Sequence, residues 1–393
     1  MDAAELRALL TPEALALLDD PGTGLSGPLD DVVGAVARLR RAGHPPERVA
    51  AVLTQARLRR RAEAKFGPFA RTMLFTEAGL EQASRLRVAA RHAGRFREAG
   101  LRRVADLGCG IGADALALAA LDIEVLAIER DPVTAAVAGY NLAAWPGVRV
   151  VEADATAVDL AAVDAAWLDP GRREGGRRSR DPADWSPSLA FAFGLPVPVG
   201  VKLPPGIDRT LLPEAAEAQW VSDGGELVEV TVWTGALARP GVRRAALVLG
   251  PSGAAELVAD DDSADEPAGP LGAFVYEPDG AVIRARLIGM LARELGARML
   301  HPTIAYLTGE ERVDTPFARR FRVLAELPLD ERRLGRELRE RGIGTVEIKK
   351  RGVDVDPAAL RARLKPAGDG SATVILTRVG QGRRALIAER DDR

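Results

Sequence analysis

The stretch Val104-Ala-Asp-Leu-Gly-Cys-Gly-Ile-Gly-Ala-Asp-Ala-Leu-Ala-Leu118 decides the fold. An apolar strand runs to Asp106, three glycines follow at Gly108, Gly110 and Gly112, and an alanine- and leucine-rich helix begins. Glycines let the backbone turn tightly and come close to a ligand, and a helix N-terminus presents unpaired N–H groups. Because Ala113 follows, the run also satisfies the loose dinucleotide pattern G-x-G-x-x-G/A. At this point the nucleotide is open, and so is a turn that carries no ligand.

The strand ends separate these readings. Asp106 lies two residues before the first glycine, where a carboxylate suits an ammonium group and repels a pyrophosphate. The next strand, Ile123-Glu-Val-Leu-Ala-Ile, ends at Glu129, placed to accept hydrogen bonds from a ribose diol. A third, Val148-Arg-Val-Val, leads to Asp154 and Ala155, where a carboxylate can accept an adenine amino hydrogen. Three acidic strand ends along one carboxyl edge of a parallel sheet favour S-adenosylmethionine, and with it a Rossmann-like class I methyltransferase. An NAD enzyme is the alternative. The expected cofactor-binding set is Asp106, Gly108, Gly110, Gly112, Glu129, Asp154 and Ala155.

At 393 residues the chain has room for two or three domains. Its 54 basic and 56 acidic residues balance, so total charge points to neither nucleic acid nor membrane. Their distribution is uneven. Residues 30–98 carry 15 Lys/Arg against 7 Asp/Glu, and residues 321–393 carry 17 against 12. Both ends are therefore basic and the remainder acidic. The single cysteine, Cys109, excludes a disulfide framework or a cysteine zinc site. His44, His92 and His301 lack ligand spacing, so no metal is expected and all three read as structural. No signal peptide, lipidation motif or membrane-length apolar run is evident, and a soluble cytoplasmic protein is expected.

Residues 1–100 read as a helical domain. Thr11-Pro12 opens one helix. Val49, Val52, Leu53 and Ala56 make an apolar face on another, followed by Arg57, Arg59, Arg60, Arg61 and Lys65, a solvated helix end or a phosphate contact. Thr76 is expected to cap a helix running to about Phe96, and Phe75 and Thr76 either border the cofactor pocket or pack in the core. Residues 101–250 alternate strand and helix, which predicts the cofactor-binding domain with a seven-stranded, mostly parallel sheet. Its fourth strand is Val163–Leu168 and its fifth Val197–Lys202; Glu226–Trp233 and Arg244–Leu249 are expected to close it as a hairpin. Residues 251–318 read as an acidic loop and a helical connection, with a helix from about Ala281 to Leu295 capped by Asp279. Residues 319–393 form a small α/β unit: a strand at Phe321–Leu327, a helix from Asp330 to Gly342, a strand at Thr345–Lys349, a helix opened by Asp356-Pro357, and a final hairpin.

Methyl transfer from a sulfonium is an in-line displacement dominated by proximity and alignment. It needs neither metal nor covalent nucleophile, in keeping with so few His and Cys. The segment Asp169-Pro170-Gly171-Arg172-Arg173 after the fourth strand is the candidate catalytic loop, Asp169 and Pro170 orienting an acceptor amine or hydroxyl; a turn that uses Asp-Pro-Gly for geometry alone is the other reading. Arg172, Arg173, Arg177, Arg178 and Arg180, against Glu174 alone, make the adjoining loop basic, fit for a polyanionic substrate or simply solvated. Lys202 is a further candidate for the mouth of the site.

On these residues the chain resembles the class I S-adenosylmethionine-dependent methyltransferases with a C-terminal THUMP-like domain, from about residue 10 to the end. The marks are Met73-Leu-Phe-Thr through Leu80-Glu-Gln-Ala, Asp106-Leu-Gly-Cys-Gly-Ile-Gly, Leu168-Asp-Pro-Gly-Arg-Arg, and Glu347-Ile-Lys-Lys-Arg-Gly-Val-Asp-Val-Asp. The catalytic half is also similar to the trimethylguanosine synthase group, in which a Phe-Thr element precedes the cofactor domain; this implies a cofactor role for Thr76. THUMP domains bind RNA, so the resemblance implies an RNA methyltransferase acting on tRNA or rRNA, with Arg172, Arg173, Lys349, Lys350 and Arg351 as substrate contacts. The alternative is a small-molecule or protein methyltransferase whose C-terminal domain only packs. Two departures stand out. Gly171-Arg172 replaces the Pro-aromatic pair that base N-methyltransferases usually carry after Asp/Asn-Pro, and the THUMP-like part follows the catalytic domain instead of preceding it.

Overall fold

The computed structural model describes residues 1–20, 25, 32–171, 173–174, 177–178 and 181–391. The chain folds into two compact units, Met1–Leu203 with Val232–Ala238, and Pro204–Thr231 with Arg239–Arg393.

The first unit opens with α1 (Ala3–Leu9), α2 (Pro12–Asp19), α3 (Val32–Arg41) and the 21-residue α4 (Pro46–Phe66). As expected, the Thr11 hydroxyl accepts from the Ala14 N–H and Pro12 occupies the first turn of α2. Pro46 starts α4, and Gly67 at φ +54° ends it. The single helix expected from Thr76 to Phe96 is two, α5 (Glu77–Gln82) and α6 (Leu86–Glu98). The break falls at Ala83–Arg85, where Ala83 turns to φ −55°, ψ 141° and Arg85 stays extended.

Five parallel strands follow: β1 (Arg103–Leu107), β2 (Glu124–Glu129), β3 (Val148–Glu152), β4 (Ala165–Leu168) and β5 (Val199–Leu203), in spatial order β5-β4-β1-β2-β3. The register pairs Asp106 with Ala127 and Trp167, and Glu129 with Glu152, so the carboxyl ends line up. Every residue of α7 (Ala113–Ala119) is buried; its alternating alanines let it lie close to both α6 and β2. Helix α8 (Pro132–Leu142) is capped by the Asp131 carboxylate on the Thr134 N–H at 2.8 Å. A short helix, α9 (Leu189–Phe193), precedes β5. One hydrophobic cluster runs from Leu6 and Leu9 through Phe66 and Phe75 to Trp167 and Trp233, so the N-terminal helices share their core with the sheet.

In the second unit β6 (Glu217–Asp223), β7 (Glu226–Trp233, which ends in the first unit), β8 (Arg244–Gly250) and β9 (Gly253–Ala259) run in the order β9-β8-β6-β7. The expected hairpin of 226–233 with 244–249 does not form. Arg244–Gly250 instead lies parallel to β6 and makes its hairpin with β9, so these added strands raise the expected seven to nine. The two extra strands escape a reading by pattern because Glu217–Asp223 and Gly253–Ala259 carry too many small and polar residues to look like strands.

The stretch 251–318, expected to be loop and helix, also holds β10 (Phe274–Pro278), β11 (Arg298–His301) and β12 (Ile304–Gly309). Asp279 caps as expected, but the helix after it is broken into α10 (Gly280–Arg284) and α11 (Ile288–Glu294) by Arg286 at φ +61°. The C-terminal elements follow the sequence closely: β13 (Ala318–Pro328), α12 (Glu331–Glu340), β14 (Ile343–Lys350), α13 (Pro357–Leu364), β15 (Gly370–Val379) and β16 (Gly382–Arg390). They join the preceding three in one sheet, β11-β12-β10-β13-β16-β15-β14. Leu334, Leu338, Leu360 and Leu364 pack α12 and α13 onto it. Among the described residues no helix is long and apolar enough to cross a membrane.

Candidate functional site

The glycine turn is built as the pattern requires. Gly108, Gly110 and Gly112 have φ of +94°, +56° and +89°, a region costly for any residue with a Cβ. The Gly108 and Cys109 N–H groups both donate to the Ile128 carbonyl at 2.9 Å, which fixes the turn to β2. At Gly112 a Cβ would meet the Leu142 Cδ1 at 2.8 Å, so the end of α8 presses directly on the turn.

Asp106 is 1% exposed, and its Oδ2 has no hydrogen-bond partner. Burial first, then the negative charges of Asp114, Asp169 and Glu129, push its carboxyl well above the usual carboxylate range, with Lys202 opposing. A buried, unpartnered carboxylate is costly in a fold that has no ligand for it. Glu129 spans the turn: Oε2 accepts from the Gly110 N–H at 3.1 Å and Oε1 from the Asp131 N–H at 2.9 Å, each oxygen keeping a further lone pair. Asp154 is exposed, caps Ala155–Ala157 through Oδ1 on the Thr156 N–H and hydroxyl, and is held below its usual range by those two bonds. Ala155 is the first residue of that turn. Burial, together with the Asp106 and Glu129 charges, pushes the Cys109 thiol up.

Thr76 is placed beside this turn. Its hydroxyl caps α5 on the Gly79 N–H at 2.9 Å, and the absent Cβ of Gly79 leaves the gap into which Ile111 of the turn fits. Phe75 is fully buried against Phe66, so of the two readings of that residue the core one holds. The backbone of Met73–Thr76 is gripped by side chains the sequence reading missed. Gln55 exchanges two hydrogen bonds with Phe75, donating to its carbonyl at 2.7 Å and accepting from its N–H at 3.0 Å. Asn141 does the same with Leu74, at 3.0 and 2.7 Å, and also donates to the Ile111 carbonyl at 2.9 Å. Arg59 donates to the Met73 carbonyl at 2.9 Å. The signal was available: an Asn in the apolar Pro132–Leu142 run and a Gln on the buried face of α4 are polar residues where a core is expected.

The basic cluster on α4 is engaged in the same task. Arg57 and Arg61 reach Glu77, and Lys65 donates to the carbonyls of Leu80, Glu81 and Ala83 at 2.8, 2.8 and 2.9 Å, closing the C-terminus of α5.

Past β4, Asp169 is partly exposed and Pro170 buried; the Asp169 carboxylate is hydrogen-bonded to the Lys202 ammonium. The loop returns at Gly171, whose N–H donates to the Ser186 carbonyl at 2.8 Å and whose carbonyl accepts from Ser186. Arg172 and Arg180 lie outside the described residues; Arg173, Arg177 and Arg178 are described in backbone only, in a two-residue ladder with Glu174. Behind β4, His92 stacks on Trp167 at 4.2 Å, with Trp233 and Phe96 edge-on. A Cβ at Gly200 would meet both indoles, so that glycine makes room for them.

In the second unit, Lys349 Nζ donates to Glu277 Oε2 at 2.8 Å and lies over the Phe321 ring, while Arg351 donates to the Ala305 carbonyl at 2.9 Å and stacks on Tyr306. Lys350 alone of the three is exposed. Among the described residues no group of three or more His, Cys, Asp or Glu could hold a metal ion.

Residues 318–390 match the family model described as THUMP domain-like, and residues 2–62 match a domain of unknown function. Two proteins of Mycobacterium tuberculosis, from strains H37Rv and CDC 1551, both named as uncharacterized S-adenosylmethionine-dependent methyltransferases, are 37% identical over 339 residues, 83% of this chain and 91% of theirs. A crystal structure of a candidate methyltransferase from Porphyromonas gingivalis W83 shares the fold at a TM-score of 0.71 and 24% identity, covering 99% of this chain and 96% of that one.

Proposed function

The chain belongs to the S-adenosylmethionine-dependent methyltransferases with a C-terminal THUMP-like domain, and from that premise we propose that its acceptor is RNA, tRNA or rRNA. S-adenosylmethionine is the cofactor. When bound, it supplies an electrophilic methyl group on a positively charged sulfur. The site fits it: the unpartnered Asp106 carboxylate suits the methionine ammonium, Gly108–Gly112 leave room for close backbone approach, and the remaining lone pairs of Glu129 and Asp154 suit a ribose diol and an adenine amino group. Thr76 and Ala155 would border the same cofactor.

In this reading Asp169 accepts a hydrogen bond from the acceptor amine or hydroxyl and holds its lone pair in line, and Pro170 stiffens the loop. Nothing in the chain needs to attack the methyl group itself. The observation that carries RNA as acceptor is the THUMP-like match over residues 318–390. Exposed Arg332, Arg333, Arg336 and Arg361 on its two helices enter no ion pair among the described residues, which supports a polyanionic partner. Arg172, Arg173 and Lys350 are proposed to add phosphate contacts. The second reading, a small-molecule or protein acceptor with a purely structural C-terminal domain, is favoured by one observation: Lys349 and Arg351 are already engaged within the fold.

A filter-binding assay with total tRNA and rRNA at two salt concentrations, using methyl-labelled cofactor, separates the two. Salt-sensitive retention with label in the RNA supports the first reading. Cofactor binding with neither retention nor label overturns it in favour of the second.

A further inference from the structure

Beneath the carboxyl edge of the sheet a chain of hydrogen bonds ties five segments together. Lys202, near the end of β5, has three N–H bonds to give and meets three acceptors: the Gln82 carbonyl at 3.3 Å, the Ser84 hydroxyl oxygen at 3.1 Å and Asp169 Oδ2. The Ser84 hydroxyl donates to Asp114 Oδ2 at 2.7 Å, and Asp114 Oδ1 is 2.8 Å from His92 Nδ1. Lys202 is 14% exposed in its side chain, and Ser84, Asp114 and His92 are buried. The acidic residues proposed for the cofactor, Asp106, Glu129 and Asp154, lie on β1, at the end of β2 and just past β3.

We propose that Lys202 is a positioning residue for methyl transfer: it fixes the Asp169 carboxylate in one orientation, anchored through Ser84 to the buried Asp114–His92 pair. The inference rests on the reading of Asp169 as the residue that orients the acceptor.

The charges around the site explain why a lysine stands there. The charges of Asp114 on α7, Glu129 on β2 and Asp169 after β4 all bear on the Asp106 carboxyl of β1, with the Lys202 ammonium opposing them, and His92 on α6 lies behind Asp114. Burial works against the Asp114 carboxyl, but His92, Lys202 and the Ser84 hydroxyl together hold it below its usual range. Removing the ammonium takes from Asp169 a hydrogen bond and a neighbouring positive charge that favours its ionised form, so the carboxyl would take up a proton more readily and could turn away from the acceptor. A methionine of similar length keeps the packing and removes the charge. An arginine keeps the charge with altered geometry.

The test compares Lys202→Met, Lys202→Arg and Asp169→Asn for cofactor affinity by calorimetry, and for label transfer to total tRNA and rRNA between pH 5 and 9. Lys202→Met is expected to bind S-adenosylmethionine within about threefold of the wild type while kcat falls about 100-fold. The acidic limb of its rate profile should move to higher pH, Lys202→Arg should recover at least about a tenth of the rate, and adding Asp169→Asn to Lys202→Met should cost little more. A Lys202→Met enzyme with the wild-type kcat and acidic limb overturns the proposal. So does one whose cofactor affinity and rate fall together with the limb unmoved, the mark of a purely structural lysine. Should the wild type label no RNA, the acceptor reading fails by itself, and the carboxyl carbon of Asp169, followed by NMR, decides for Lys202. Titration at higher pH in Lys202→Met than in the wild type sustains the proposal; an unchanged titration overturns it.

Discussion

The glycine turn and the strand Ile343–Lys350 are both marked by charge in the sequence, and the fold treats that charge in opposite ways. At the turn, Asp106 is buried with Oδ2 unpartnered and three other carboxylates nearby. On β14 the charges of Lys349 and, just beyond it, Arg351 are met by Glu277, a carbonyl and two aromatic faces. A charge left buried without a partner is costly unless something outside the fold meets it; a charge met inside the fold is part of its architecture. The comparison ranks the sequence motifs in a way their spelling could not.

The largest effect is expected at Asp106. Asp106→Asn should weaken S-adenosylmethionine binding by at least about 100-fold, since it removes one partner of a buried charge pair, with the fold retained in calorimetry and circular dichroism. The pH dependence has a definite sign. An unfolded aspartate ionises at about pH 3.9, and the folded Asp106 holds its proton to higher pH. Over that interval the native state binds more protons than the unfolded one, so stability without cofactor falls as pH rises and levels off above the folded value. Denaturation across pH should show that fall in the wild type and not in Asp106→Asn; parallel curves would refute the assignment.

Asn141→Ala should come next, costing about 2–4 kcal/mol in denaturant titrations, because three backbone groups of Leu74 and Ile111 lose their partner in the core. It should also weaken cofactor binding, which a simple core defect far from the turn would leave alone. On the other side of the comparison, Lys349→Met should cost about 1–3 kcal/mol by removing the hydrogen-bonded partner of Glu277 and leaving it the longer contact with Arg351. Adding Glu277→Gln should restore part of that loss, and additive effects would show that the pair does not interact. Smallest of all, Lys350→Glu should leave stability within about 0.5 kcal/mol yet reduce RNA retention at low salt.

The alternating elements of the cofactor half were legible because an apolar strand, a glycine turn and a capped helix are local signals, read within a dozen residues. Asp106, Glu129, Asp154 and Asp169 could be proposed for the same reason: each lies at or within two residues of the carboxyl end of a strand. The C-terminal β13–β16 elements were legible for their clear Asp caps and glycine stops. The two extra strands of the first sheet were not, because Glu217–Asp223 and Gly253–Ala259 carry too many small and polar residues to show alternation, and β10 was not, because it pairs only with strands 31 or more residues away. Gln55, Asn141, Ser84 and the anchoring role of Lys202 escaped for a related reason. Their roles arise from contacts between distant segments, such as Lys202 with Ser84 across 118 positions.

Helix α4 carries one more consequence. The family match at the N-terminus stops at residue 62, within α4, yet Arg59, Arg61 and Lys65 all reach forward into residues 73–83, and the shared core passes through Phe66. The boundary drawn by sequence kinship is thus not a seam along which the protein can be cut. A fragment beginning at the first cofactor strand would lack the segment Leu74–Thr76 beside the glycine turn, and any expression strategy that trims the first hundred residues removes along with it the part of the shared core that passes through Phe66, Phe75 and Phe96.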